Sequence, residues 1–86
     1  MEVVIITGMS GAGRSTAAHV LEDSNWYVVD NLPPAMLLPL IKEVEGEHQK
    51  VAVVIDVRSR AFFEELAQSL SALKQMQINV RILFLD

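Results

Sequence analysis

The sequence predicts an α/β fold, three layers deep, with a parallel sheet of about four strands between helices. Three observations predict it. Val3-Val4-Ile5-Ile6 and Val51-Ala52-Val53-Val54-Ile55 are uninterrupted apolar runs, as expected of central parallel strands buried on both faces. Segments with apolar residues at helical spacing follow them. The glycine-rich stretch from Gly8 to Gly13 joins the first run directly to the first such segment. Strand–helix units that repeat and then close on a strand require crossover connections, and so a parallel sheet.

The first strand is predicted over Glu2–Thr7. Gly8-Met9-Ser10-Gly11-Ala12-Gly13-Arg14-Ser15 then follows the spacing G-x-x-x-x-G-K-[ST], with Arg14 in the place of the lysine. Glycines let successive backbone N–H groups curl around a phosphate without Cβ clashes. The helix N-terminus behind them adds unpaired N–H groups and partial positive charge. Arg14 keeps a cation beside the phosphates, and Ser15 offers a hydroxyl to Mg2+. The alternative is a flexible turn. With strand before and helix after, the stretch reads as a nucleotide-phosphate loop, and the domain as P-loop NTPase-like.

A helix from Gly13 or Arg14 to about Asp23 should pack through Ala17, Val20 and Leu21, with Ala18 beside them. Glu22 to Asn25 form a polar turn but a poor cap. Trp26-Tyr27-Val28-Val29 is a short strand, with Trp26 expected to pack and not to stack on a base. Asp30 stands at the carboxyl end of that strand, where open α/β sheets bind ligands. It either orients an acceptor or a magnesium-bound water, or, like Asn31, caps the next helix. From Pro34 to Val44 the chain should be helical through Leu37, Leu40, Ile41 and Val44, with Pro39 kinking or dividing it. Gly46 is a helix stop. Met36 and Leu38 are read as satellite core contacts, with a cover over the mouth of the site as the alternative.

Val51–Asp56 repeats the first strand and ends in a carboxylate, which a magnesium-dependent phosphate site requires on its metal side. Ser15 and Asp56 are the candidate metal ligands, and Arg14 and Asp56 the candidate catalytic residues. Capping of the following turn is the alternative for Asp56. Arg58 is expected to pair with Asp56 ahead of reaching phosphates or solvent. Ser59 should cap a helix over Arg60–Met76, packed through Phe62, Leu66, Leu70 and Leu73, with Ala67 widening the stripe and Phe63 half-buried. Ile78–Asp86 is the fourth strand. His19 and His48 are read as ordinary surface histidines.

Composition excludes several functions. The chain has 86 residues, room for one small domain. It has no cysteine, which rules out disulfides, thiol chemistry and Cys-based zinc sites. A formal charge of −4 leaves no electrostatic footprint for nucleic acid. No apolar run reaches the roughly 18–20 residues of a membrane span, and no secretory signal is visible, so a cytoplasmic protein without membrane contact is expected.

Gly8–Ser15, Leu21-Glu22-Asp23, Val29-Asp30-Asn31-Leu32-Pro33 and Asp56-Val57-Arg58-Ser59 together resemble the bacterial RapZ/YvcJ family of P-loop nucleotide-binding proteins. The resemblance runs over essentially the whole chain. It implies ATP or GTP binding with Mg2+: residues 8–15 (Gly8, Met9, Ser10, Gly11, Ala12, Gly13, Arg14, Ser15) as an ATP-type loop, and Asp56, Val57, Arg58 and Ser59 as a segment assigned to GTP. It also implies ATPase/GTPase activity and, in the RapZ branch, a role as RNase adapter. The family pattern has lysine where Arg14 stands. Its proteins also run to nearly 300 residues, so residues 1–86 are expected to be the N-terminal portion of a truncated nucleotide-binding domain. The C-terminal domain, with its RNA and RNase contacts, is then absent.

The leading function is a nucleotide-binding regulatory module with weak hydrolysis. A small-metabolite P-loop kinase fragment is the rival, through Asp30. A non-catalytic interaction fragment, homo-oligomeric through an exposed sheet edge, is the third reading.

Overall fold

The computed structural model describes residues 1–8 and 11–85. Its order is β1 (Glu2–Gly8), α1 (Gly11–Asp23), β2 (Tyr27–Val29), a 3₁₀ turn (Pro34–Met36), α2 (Leu37–Val44), β3 (Lys50–Val54), α3 (Arg60–Gln75) and β4 (Asn79–Leu85). All pairings are parallel, in the order β2-β3-β1-β4. The predicted α/β class and four-stranded sheet are what the chain forms. Asp86, the last residue of the expected fourth strand, lies outside the described residues.

The apolar runs take the centre of the sheet because both of their faces are buried. On one face Val3, Ile5, Val51, Val53 and Ile55 pack against Leu37, Ile41 and Val44 of α2 and Leu66 and Leu73 of α3. On the other, Ile6 and Val54, with Val4 and Val28, meet Ala17, Ala18 and Leu21 of α1. Three layers result, with α1 alone on its side among the described elements.

Several local expectations need correction. Val20 is exposed, because α1 faces the sheet through Ala17, Ala18 and Leu21 and Val20 falls beside that stripe. Phe63 is exposed and not half-buried, since no described segment lies over that flank of α3. Met36 is likewise exposed, whereas Leu38 packs on the core. Pro39 does not mark the division of the second helical segment, which falls at Met36/Leu37. Pro39 is the third residue of α2, where the missing N–H has no intrahelical partner to lose.

The end of α1 is capped better than its composition implied. Asn25 adopts φ 68°, its N–H donates to the Glu22 carbonyl at 3.1 Å, and Trp26 N–H donates to Leu21 at 3.0 Å. This pair of bonds is the Schellman closure, and asparagine is the non-glycine residue that best tolerates that backbone. The end of α3 repeats it with Gln77 at φ 63° and Ile78 N–H donating to Leu73. His48 is less ordinary than expected. Its ring stacks on Tyr27 with centroids 4.2 Å apart.

Topology creates the crevice. β1 and β3 are neighbours, yet α1 leaves β1 toward one face while α3, after β3, lies on the other. Loops that diverge from adjacent strands open a gap at the strands' carboxyl ends, the general ligand position of such sheets.

Candidate functional site at the carboxyl ends of β1 and β3

Gly8 closes β1 at φ 140°, a backbone that side chains with a Cβ rarely adopt. α1 opens at Gly11, two or three residues earlier than expected. Arg14 therefore sits in the second turn of the helix and points back across the crevice. Its Nη1 donates to the Gly8 carbonyl, and its Nη2 lies 3.8 Å from Asp56 Oδ2. Asp56 is placed just beyond β3, after Ile55 N–H donates to Ile6 at 2.9 Å and holds the two chain segments in step.

Arg58 Nε donates to the same Asp56 oxygen at 2.9 Å, the pairing expected from sequence. The Asp56 carboxylate is thus shared by two guanidiniums. Arg14, Ser15, Asp30, Asn31, Val54, Asp56 and Arg58 line one pocket of about 320 Å³. Asn31 reaches its place through φ 56°, and Leu32 N–H donates to the Val54 carbonyl at 3.0 Å, which fastens the β2 exit to β3.

The other candidates divide. Ala12 and Gly13 lie in the first turn of α1, and Ser15 in the next, exposed on the pocket's rim. Gly11 is the first residue of that helix. Met9 and Ser10 lie outside the described residues. Val57 packs against the α2–α3 core, on the opposite side from the pocket. Ser59 Oγ accepts from Phe62 N–H at 3.2 Å and caps α3, as expected.

Among the described residues no group of three or more His, Asp or Glu is arranged to hold a metal. A magnesium site of the phosphate-loop type does not need one, because Mg2+ takes one or two protein oxygens and fills the rest of its shell with water and phosphate. The Ser15 hydroxyl and the Asp56 carboxylate are oxygen donors in one pocket, so the donor set fits. Sequence reasoning missed the Arg14–Asp56 approach. The two motifs were expected to serve one site, but direct contact between these two side chains was not, and only the adjacency of β1 and β3 makes it visible.

Comparison with known proteins follows the same line. The model of the RapZ-like N-terminal domain matches residues 1–86. A nucleotide-binding protein of Bifidobacterium adolescentis is 53% identical over 88 residues, covering 99% of this chain and 28% of the relative. A nucleotide-binding protein of Cutibacterium acnes is 55% identical, covering 98% and 29%. One of Streptomyces avermitilis is 54% identical, covering 99% and 29%. The chain thus spans less than a third of the length of these relatives. No helix among the described residues is long and apolar enough to cross a membrane. By a match that extends over its whole length, the chain belongs to the RapZ-like family and corresponds to that family's N-terminal domain.

Proposed function

We propose that this chain is a nucleotide-binding module that holds the phosphates of ATP or GTP, with Mg2+, in the pocket lined by Arg14, Ser15, Asp56 and Arg58. One observation carries the reading: Arg14, at the lysine position of the loop, and Asp56, at the metal-side position, face each other at 3.8 Å. A phosphate loop requires that its cation and its metal-side carboxylate converge on one ligand. Relatives named nucleotide-binding proteins support it.

In this reading the N–H groups at the α1 N-terminus and the Arg14 guanidinium bind phosphate oxygens, and Ser15 and Asp56 hold the metal. Bound Mg2+ supplies charge neutralisation across the phosphates. Arg58, which shares Asp56, stands at the pocket's outer wall. Ser59 is a cap and not a ligand, and Val57 belongs to the core. The segment from Asp56 to Ser59 therefore contributes two residues to the same pocket, and one site serves both nucleotides. The chain's place is an N-terminal portion of a cytoplasmic nucleotide-binding domain. RNA or RNase contacts belong to the parts of family members beyond the matched stretch.

Asp30 and Asn31 share the pocket, which favours one second reading, transfer of a phosphoryl group to a small acceptor. The two are separated by adding a metabolite pool and following label from the γ-phosphate.

Calorimetric titration with ATP and GTP, each with Mg2+, tests the site. Mutual competition is expected. Simultaneous saturation by both would refute a single site. A bulky residue at position 13, Gly13→Val, should remove binding from a chain that still folds. Binding that survived would reduce the glycine-rich stretch to a turn.

A further inference from the structure

The cleft around Asp56 does not end at Arg58. A further chamber of about 220 Å³ opens there, lined by Asn31, Leu32, Pro33, Asp56, Arg58 and Phe62. Asn31, Asp56 and Arg58 also line the first pocket, so the two are adjoining parts of one cleft. Their chemistry differs. The first gathers Arg14, Ser15 and Asp30, whereas the second has Leu32, Pro33 and Phe62 in their place.

Two connections form the walls of this chamber, and both are fastened. After β2, Asn31 turns at φ 56° and Leu32 N–H donates to the Val54 carbonyl. The buried Ser69 hydroxyl then donates to the Pro34 carbonyl at 3.3 Å and ties the same wall to α3. After β3, Arg58 Nε is held by Asp56, and Phe62 N–H by Ser59 Oγ at the head of α3. Walls already fixed cost little to order when a ligand enters. A guanidinium carries five N–H donors, and the bond to Asp56 uses only that of Arg58 Nε. Its Nη groups face the cleft's shared boundary as donors for something else.

We infer that this chamber is a subsite for a second ligand, a small organic anion bound beside the nucleotide phosphates. The Arg58 Nη groups and the Asn31 amide hold its carboxylate or phosphate, which a planar guanidinium fork suits. Leu32, Pro33 and Phe62 cover its carbon skeleton. Size sets the class. Sites for drug-sized molecules run to roughly 300–1,000 Å³. At about 220 Å³ this chamber suits a metabolite smaller than a nucleotide. A bare inorganic anion would leave the apolar wall unused. The inference rests on the nucleotide reading only for what occupies the adjoining pocket.

The test titrates the isotope-labelled chain with benzoate, phenyl phosphate and inorganic phosphate, and follows amide chemical shifts. Benzoate or phenyl phosphate is expected to shift the Leu32 and Phe62 amides saturably below about 10 mM. Inorganic phosphate should bind there at least about tenfold more weakly, for want of apolar surface to bury. Arg58→Gln should weaken the organic probe by at least about tenfold, the scale of a lost charge-assisted hydrogen bond. Phe62→Leu should weaken it about threefold or more, since an aromatic wall is lost while an apolar one remains. The same variant should leave the affinity for ATP with Mg2+ within about twofold, because Phe62 does not line that pocket. No saturable shift at Leu32 and Phe62 from either organic probe would overturn the inference. So would binding that Arg58→Gln leaves intact, or equal affinity for benzoate and inorganic phosphate, the mark of a charged surface only. Benzoate binding without any binding of ATP would sink the nucleotide reading and leave the subsite standing; the reverse removes the subsite alone.

Discussion

Arg14 and Asp56 meet across the crevice at 3.8 Å, on the same carboxylate oxygen that Arg58 reaches at 2.9 Å. The two cations are not equivalent. The Arg14 side chain is 16% exposed, whereas that of Arg58 is 69% exposed and its pair is largely screened by solvent. In the proposed site a magnesium ion competes with both for Asp56. Arg58→Ala should therefore strengthen Mg2+ binding to the ATP-saturated chain only slightly, about two- to fivefold, the scale of an exposed ion pair. Asp56→Asn should weaken it by far more. Magnesium titration by calorimetry measures both, and an unchanged affinity in Asp56→Asn would remove Asp56 from the metal site.

Gly8 offers a test on stability instead of binding. At φ 140° it occupies a backbone region nearly closed to other residues. Gly8→Ala should destabilise the domain by about 1–3 kcal/mol. For a chain of this size each kcal/mol lowers the melting temperature by about 4–8 °C. Thermal unfolding followed by circular dichroism reads the shift. An unshifted melting temperature would mean that the backbone at Gly8 relaxes freely.

Ser59 separates a structural role from a ligand role. Its Oγ already accepts the Phe62 N–H, so Ser59→Ala should cost about 0.5–2 kcal/mol of stability. Nucleotide affinity, measured below the melting transition, should stay within about twofold, since the site lies elsewhere. Lost affinity with unchanged stability would place Ser59 at the ligand.

Much of this architecture is legible without coordinates. Strands buried on both faces must be apolar throughout, so β1 and β3 announce themselves. Ser59 stands directly before a run at helical spacing, where a cap belongs. Arg58 is close enough in sequence to Asp56 for their pairing to be read locally. What was not legible depends on tertiary placement. The Arg14–Asp56 approach follows from strand order, which no local pattern encodes. The exposure of Val20 and Phe63 depends on which flank of each helix meets the sheet, and an apolar side chain at helical spacing looks the same on either flank. Pro39 misled because a proline breaks a helix only when its N–H is needed, and the start of α2 sets that. The Schellman closure at Asn25 rests on a left-handed backbone that asparagine permits without demanding.

Arg14 also bears on turnover. A lysine ammonium is a compact point charge able to reach between phosphate oxygens, whereas a guanidinium is broad and planar. That guanidinium donates to the Gly8 carbonyl and lies beside Asp56. Moving it onto the phosphates costs those contacts, and it does not reach between the β- and γ-phosphate oxygens as a compact ammonium does. Ground-state binding should thus suffer less than transition-state stabilisation. A loss of about 2–3 kcal/mol would slow hydrolysis about 30–150-fold. The native chain is therefore expected to release phosphate slowly or not measurably, and Arg14→Lys to release it faster at similar nucleotide affinity. Phosphate release by both, with Mg2+ and matched amounts of folded protein, decides the point. A substantial native rate that Arg14→Lys leaves unchanged would show that arginine does the lysine's work here. Rates near zero in both would move the cause away from Arg14, to catalytic groups that family members carry outside the matched stretch.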